Sequence, residues 1–153
     1  GSSDIELSGQ AVRALARIGT DEASDALCDA LEMPSGPRLI LVASTFRKQR
    51  AARARPAIIR CLQTRGDALR PDERRILVLA LGEMPHVSAV PVLAIALRER
   101  RYRMRTAAAW ALAQIRAPES EAALQEAANE LSWFRARPIR RGLHARRQRA
   151  DQG

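Results

Sequence analysis

Aromatic residues, cysteine and lysine are all scarce in this 153-residue chain. Aromatic residues make up 3% of the sequence, which fits a thin core of aliphatic side chains and argues against a surface that stacks single-stranded bases. The two cysteines, Cys28 and Cys61, belong to no CxxC motif or Cys/His cluster, so a disulfide framework and a structural zinc site lack support. We expect both to be buried packing residues.

The chain also lacks a long apolar run. The longest stretch covers residues 89–97 and contains Pro91, far short of the roughly 20 residues that cross a bilayer. We therefore expect a soluble, cytoplasmic fragment without a membrane span. Residues 1–3 are expected to be a remnant of a cleaved tag, and the fragment is expected to come from a longer bacterial protein.

Of the 26 basic residues, only Lys48 is a lysine, and a GC-rich genome produces such an excess of arginine by codon bias alone. The distribution of charge is more informative than its amount. Residues 1–36 carry seven acids and two bases, a net charge of −5, whereas residues 37–153 carry 24 bases and ten acids, a net charge of +14. This split favours an anionic partner for the later part of the chain, with a solvated charged surface as the alternative.

An internal repeat is the strongest pattern in the sequence. Four anchor positions recur at spacings of 31, 35 and 31 residues, namely Leu15, Phe46, Leu81 and Leu112. Twelve residues after the anchors stand Leu27, Ile58, Leu93 and Leu124, and sixteen after them stand Leu31, Leu62, Leu97 and Ala128. Because these two sets are one helical turn apart, they predict one apolar face on a second helix that follows the anchor helix.

Turn residues separate the predicted helices at regular intervals. Breaks within repeats fall at Gly19-Thr20, Met84-Pro85 and Ala117-Pro118, and breaks between repeats fall at residues 34–37 and 70–72. The sequence therefore predicts an all-α fold, an α-solenoid of about four helical hairpins. We expect a repeat domain over residues 4–133, with repeats at about 4–33, 37–66, 71–100 and 101–131, and a basic C-terminal cap and tail over residues 134–153.

The first helix of the fourth repeat carries a recognisable motif. Residues 104–115 read MRTAAAWALAQI, which resembles the V-R-x-x-A-A-x-A-L-G-x-I pattern of the short HEAT-like repeats of the phycobilisome lyase type, called EZ-HEAT repeats. Residues 73–84 match more loosely, residues 7–31 match without the arginine, and residues 38–62 match mainly in the second helix. The resemblance implies stacked hairpins that present a surface to partners, with Arg74 and Arg105 at the position used for contacts between repeats.

Three basic clusters are the candidate sites for a protein or an anion. The first, at the break inside the second repeat, contains Arg47, Lys48, Arg50 and Arg53. The second, between the third and fourth repeats, contains Arg98, Arg100, Arg101 and Arg103. The third, in the tail, contains Arg140 and Arg141. Guanidinium groups in such clusters form two-pronged hydrogen bonds with carboxylates or phosphates, although each cluster is equally consistent with a solvated surface.

The rest of the tail supports two interpretations. Trp133, Phe134 and Ile139 are expected to cover the last apolar face of the stack. A flexible arm for an anionic surface is one interpretation of the arginines beyond them, among them Arg146, Arg147 and Arg149.

No catalytic motif is recognisable. The sequence has no nucleophile elbow, no glycine-rich phosphate loop and no pair of metal-binding histidines, since His86 and His144 stand alone. We therefore expect no catalytic residues, no metal and no cofactor. The leading hypothesis is a protein-interaction module or adaptor whose partner has an acidic surface. The alternative is an anion-binding module for nucleic acid, a nucleotide or an acidic lipid surface, and an enzyme related to bilin lyases or DNA-base excision proteins is a third, weaker one.

Overall fold

A computed structural model describes residues 2–31 and 37–153, with side chains described for residues 9–31 and 39–153. Every regular element in these ranges is helical and none is a strand. The expected all-α fold class is confirmed. The chain divides into two compact units, residues 1–80 (unit 1) and residues 81–153 (unit 2), and each is described by itself.

Unit 1 consists of two helical hairpins and the start of a further helix. Its helices are α1 (Ser2–Ile18), α2 (Asp21–Ala30), α3 (Pro37–Gln49), α4 (Arg55–Arg65) and the first part of α5 (Pro71–Glu83). The α1–α2 turn follows the predicted Gly-Thr break. Gly19 adopts a φ of +66°, which glycine tolerates without strain, and Thr20 caps α2 by accepting a hydrogen bond from the Ala23 amide at 3.2 Å.

The second hairpin of unit 1 buries the largest side chain of the core. Phe46 on α3 and Ile58 on α4 are both fully buried. A short 3₁₀ turn, Ala52–Ala54, leads into α4, whose first turn holds Pro56 where its missing amide costs no hydrogen bond. The Gln49 side-chain amide donates to the Ala16 carbonyl at 2.7 Å and so ties the end of α3 to α1.

Unit 2 contains the end of α5 and four further helices. These are α6 (Val90–Ala96), α7 (Tyr102–Gln114), α8 (Pro118–Glu130) and α9 (Arg137–Asp151), and a 3₁₀ turn, Val87–Ala89, precedes α6. Close packing in this unit rests on small residues. A Cβ atom on Gly82 would lie 2.2 Å from the Trp110 ring, and one on Gly142 would lie 3.0 Å from the Ala109 carbonyl oxygen. Glycine is thus needed where α5 packs on Trp110 of α7, and α9 approaches the α7 backbone closely at Gly142.

The predicted repeat register agrees with the observed burial. The anchors Phe46, Leu81 and Leu112 are fully buried, whereas Leu15 is half-buried. All four residues of the set twelve positions later are buried as well. The break predicted at residues 34–37 lies outside the described residues for positions 34–36, and α3 begins at Pro37.

The C-terminal segment does not take the form of the flexible arm that was one interpretation of its sequence. Residues 137–151 are a helix packed in unit 2, so they do not form a flexible arm. The expectation for Trp133 and Phe134 was wrong, because both lie on the surface. Ile139 is buried as expected, and with Leu143 it supplies the apolar face of α9. Because Ile139 and Leu143 already supply the apolar contacts of α9 within unit 2, the preceding turn with Trp133 and Phe134 lies in solvent.

Candidate partner-binding site

The first basic cluster lies at the α3–α4 turn of unit 1. Arg47 and Lys48 occupy the last turn of α3, Arg50 follows the helix with a φ of +49°, and Arg53 belongs to the 3₁₀ turn. Because α3 ends at Gln49, the three-residue spacing of these arginines does not place them on one helical face.

Arg53 is engaged within the chain. Its Nε donates to Asp25 Oδ1 at 2.9 Å and its Nη2 donates to Asp25 Oδ2 at 3.1 Å, a two-pronged pair with α2. This hydrogen-bonded guanidinium lowers the pKa of the Asp25 carboxyl below its ordinary value of 3.8. Asp21 lies 3.8 Å from the same arginine. The acidic start of the chain therefore compensates one charge of this cluster.

The second cluster lies on the α6–α7 turn of unit 2. Arg98 is paired, since its Nε donates to Glu130 Oε2 at 2.8 Å. Arg100, Arg101 and Arg103 are exposed, and among residues 9–31 and 39–153 no carboxylate forms an ion pair with them. We refer to Arg100, Arg101 and Arg103 as the α7 ridge.

A buried arginine supports this ridge. Arg105 lies one turn into α7, and its Nη1 donates to the carbonyls of Glu99 at 2.9 Å and Arg100 at 2.6 Å. These charge-assisted hydrogen bonds fix the backbone that precedes α7 and hold the start of the ridge in place. Arg105 is therefore part of the scaffold.

The third cluster surrounds the exposed aromatic turn before α9. The Arg140 guanidinium lies 5.0 Å from the centroid of the Trp133 ring, and that of Arg137 lies 5.9 Å from it. Arg140 Nη2 also donates to the Trp133 carbonyl at 2.5 Å. Trp133 and Phe134 pack edge to face, with centroids 5.2 Å apart. Arg141 follows Arg140 on α9 and is exposed. We refer to Trp133, Phe134, Arg140 and Arg141 as the aromatic patch.

The course of the helices brings the ridge and the patch to one end of unit 2. The Arg98–Glu130 pair joins the turn before α7 to the last turn of α8. The aromatic turn follows α8 directly, and α9 then runs parallel to α7, because Gly142 meets Ala109 and Arg149 reaches Gln114. We call this the ridge end of unit 2. The opposite end, where α7 stops and α8 starts, is called the groove end after the groove described next.

The groove end carries a feature that was not predicted. A groove of about 540 Å³ opens between the end of α7, the start of α8 and the last turns of α9. Its wall includes Arg116 together with Arg146, Arg147 and Arg149. Glu121 at the start of α8 accepts a hydrogen bond from Arg146 on α9, a contact between positions 25 residues apart that no local sequence pattern indicates.

The described residues hold no group of three or more His, Cys, Asp and Glu side chains that is arranged for a metal ion. Cys61 is buried and Cys28 is half-buried, and neither forms a disulfide. Burial, with the nearby charges of Asp25 and Asp29, raises the pKa of Cys28 above its ordinary value of 9.0, so this thiol stays protonated and is a weak nucleophile at neutral pH. None of the described helices combines the length and the apolar character that a membrane crossing requires.

Comparison with known families agrees with the helical hairpins. A family model for HEAT repeats matches residues 56–143, more than half of the chain. A second model, for the PBS lyase HEAT-like repeat, matches residues 9–33, which include the α1–α2 hairpin turn. A comparison with curated proteins gave no match. HEAT repeats generally mediate protein interactions or act as scaffolds. The chain belongs to the HEAT-repeat proteins, with repeats of the EZ-HEAT type.

Proposed function

We propose that this chain is a non-catalytic adaptor that binds an acidic protein surface through the ridge end of unit 2. The observation that carries the proposal is the set of three exposed arginines of the α7 ridge, which have no carboxylate partner among the described residues. In this proposal the hairpins correspond to repeats at about 4–33, 37–66, 71–100 and 101–131, followed by the basic segment 134–153.

The neighbourhood of the ridge supports a protein partner. Tyr102 lies within the ridge and is exposed, and Trp133 and Phe134 are exposed at the same end. Tyrosine, tryptophan and arginine are the residues most enriched among the energetic hot spots of protein interfaces. Neither cysteine forms a disulfide, which suits the reducing cytoplasm in which we place the module.

The other basic residues have a secondary role in this proposal. Arg98 is held by Glu130 and Arg53 by Asp25, so each would have to exchange an existing partner for a new one. Arg47, Lys48 and Arg50 extend the basic surface of unit 1. Arg140 and Arg141 extend that of the ridge end.

The alternative function is an anion-binding module for nucleic acid, a nucleotide or an acidic lipid surface. The net charge of +14 over residues 37–153 favours it. The Trp133 ring argues against base stacking, because two guanidinium groups already lie close to it.

Salt dependence separates the two functions. Binding through phosphates releases counterions and weakens steeply with salt, whereas a protein interface with an aromatic core weakens less. The protein should be titrated with duplex DNA, RNA and phosphatidylserine vesicles at low salt and at about 0.15 M salt. We expect the attraction to disappear largely at the higher concentration. Affinity that stays micromolar or tighter, and falls in the Arg98, Arg100, Arg101 and Arg103 alanine variant, would make anion binding the primary function.

Capture experiments with matched variants test the adaptor itself. The full-length protein should be compared with R100A/R101A/R103A and with R60A/R70A/R75A, a control that removes three exposed charges from unit 1. We expect the same partner to be retained by the wild type and by the control, and lost by the ridge variant. Equal retention by all three proteins would contradict the ridge as the contact.

A further inference from the structure

The groove end of unit 2 concentrates four guanidinium groups around one opening. At about 540 Å³ the groove has the size of a small-molecule site, for which about 300–1,000 Å³ is typical. Its lining also includes four apolar residues, Ala113, Ala117, Pro118 and Ala150. It lies at the opposite end of the helices from the proposed protein contact, so it is a separate site.

One of the four arginines builds the wall. Arg146 Nε donates to the Ile115 carbonyl at 3.3 Å, and its Nη2 donates to the Ala117 carbonyl at 2.6 Å. Its Nη1 donates to Glu121 Oε2 at 2.5 Å. With all three nitrogens engaged and most of its side chain covered, Arg146 fixes the α7–α8 turn against α9.

The other three arginines retain their binding capacity. Arg149 Nη1 donates to Gln114 Oε1 at 2.8 Å, a neutral partner that orients the guanidinium without neutralising it. Arg147 lies 3.9 Å from Glu121 Oε1 and is largely exposed. Arg116 is exposed at the rim.

The charge around the groove is unbalanced. Glu121 has the only side-chain carboxylate among the described residues that line it, so four guanidinium groups face one side-chain carboxylate. Like charges at such short range repel one another, and an anion in the groove would relieve the repulsion. A phosphate monoester carries a charge of about −1.5 to −2 and has three acceptor oxygens. It therefore matches the excess better than a single carboxylate does.

We propose that this groove binds the phosphoryl group of a small phosphate monoester. Arg116, Arg147 and Arg149 contact the phosphoryl oxygens, and Arg146 positions the wall. The remainder of the ligand lies against the apolar residues of the lining. No aromatic side chain is among the described residues that line the groove, so recognition does not depend on stacking a base.

Phenyl phosphate is the probe that tests this site. In spectra of the ¹⁵N-labelled protein at about 0.15 M salt, we expect saturable shifts of the Arg147 and Arg149 Nε–H signals, with a Kd of about 1 mM or lower. R147A/R149A should weaken binding at least about tenfold, because each lost charge-assisted hydrogen bond contributes to affinity. The control R135A/R137A removes two exposed charges from the ridge end and should stay within about twofold.

Two further variants make the test independent of folding defects. Glu121→Gln removes the competing carboxylate and should tighten binding by about threefold or more. Arg116→Gln changes an exposed rim residue and should weaken binding with helix content unchanged in circular dichroism. If neither variant changes the affinity, the groove is not the site.

Other anions identify the chemistry that is recognised. We expect inorganic phosphate to bind the same residues more weakly than phenyl phosphate, because it has no ring to contact the apolar residues of the lining. Benzoate, which carries the same ring on a carboxylate, should bind weakest. Tighter binding of benzoate would refute phosphoryl recognition, and shifts that spread over all arginines without saturation would refute a defined site.

Discussion

Unit 1 contains one aromatic residue, Phe46, and buries it completely, whereas unit 2 contains four and exposes them all. The exposed fractions in unit 2 are 54% for Tyr102, 36% for Trp110, 62% for Trp133 and 73% for Phe134. Phe46 contributes to packing in unit 1, whereas the aromatic residues of unit 2 contribute to its surface.

The difference follows from how each unit fills its core. In unit 2, α7 buries a run of alanines, and Gly82 and Gly142 allow neighbouring groups to approach closely. Such close contacts leave little room for a ring. The aromatic side chains of this unit therefore lie at the surface, where with nearby arginines they have the composition of an interaction surface.

The largest expected effect comes from a charge in the alanine-rich core. Leu112→Asp places a carboxylate at a fully buried position and should lower the free energy of unfolding by about 4 kcal/mol or more. We expect the same for Leu81→Asp. Chemical denaturation followed by circular dichroism measures the change, with Gln125→Asp on the exposed face of α8 as a control that should cost less than about 1 kcal/mol. Unchanged unfolding of both leucine variants would refute the repeat register.

A pair of phenylalanine variants tests the comparison of aromatic residues directly. Phe46→Ala should cost about 3–5 kcal/mol, because it leaves a cavity in unit 1. Phe134→Ala should change stability by no more than about 0.5 kcal/mol. Thermal and denaturant unfolding of both proteins provides the measurement. Similar losses in the two variants would contradict the exposure of the aromatic turn.

These aromatic residues also show how far the sequence could predict the structure. The register at Phe46, Leu81 and Leu112 was predictable, because a stacked hairpin needs a large apolar side chain at one position of each first helix. Trp133 and Phe134 were misassigned, because their apolar character alone favours burial. The 3–4 spacing of Ala136, Ile139 and Leu143 was the overlooked signal, since it gives α9 its own apolar face.

The candidate sites were less predictable, because they depend on contacts between distant positions. Arg53 and Asp25 are 28 residues apart, and the Arg146–Glu121 pair spans 25 residues. No local pattern distinguishes these paired arginines from Arg101 or Arg103, which have no such partner among the described residues. The sequence therefore located the basic clusters but not which of their charges are already compensated.

A third prediction separates support from binding within the α6–α7 region. Arg105→Ala removes two partly buried hydrogen bonds to the Glu99 and Arg100 carbonyls and should cost about 2–3 kcal/mol. Arg103→Ala, two residues away on the surface, should leave stability within about 0.5 kcal/mol. Under the adaptor proposal it should weaken partner binding. Loss of stability in Arg103→Ala, or none in Arg105→Ala, would reverse the two assigned roles.

The smallest expected effects concern the exposed ion pair that each unit contains. The Arg53 guanidinium lowers the pKa of Asp25 below 3.8, and the Arg98 guanidinium lowers the pKa of Glu130 below 4.5. A carboxyl whose pKa is lower in the folded protein stabilises it above the pKa of the unfolded chain, and that contribution is lost as the pH falls through the folded pKa. Both contributions should therefore disappear in acid, below about pH 4.

NMR titration of the side-chain carboxyl carbons measures each pKa. Arg53→Gln should raise the pKa of Asp25 and leave that of Glu130 unchanged, and Arg98→Gln should do the converse. If the two carboxyl groups instead titrate at their ordinary values in the wild type, neither ion pair persists in solution, and Arg53 and Arg98 are then as available to a partner as the α7 ridge.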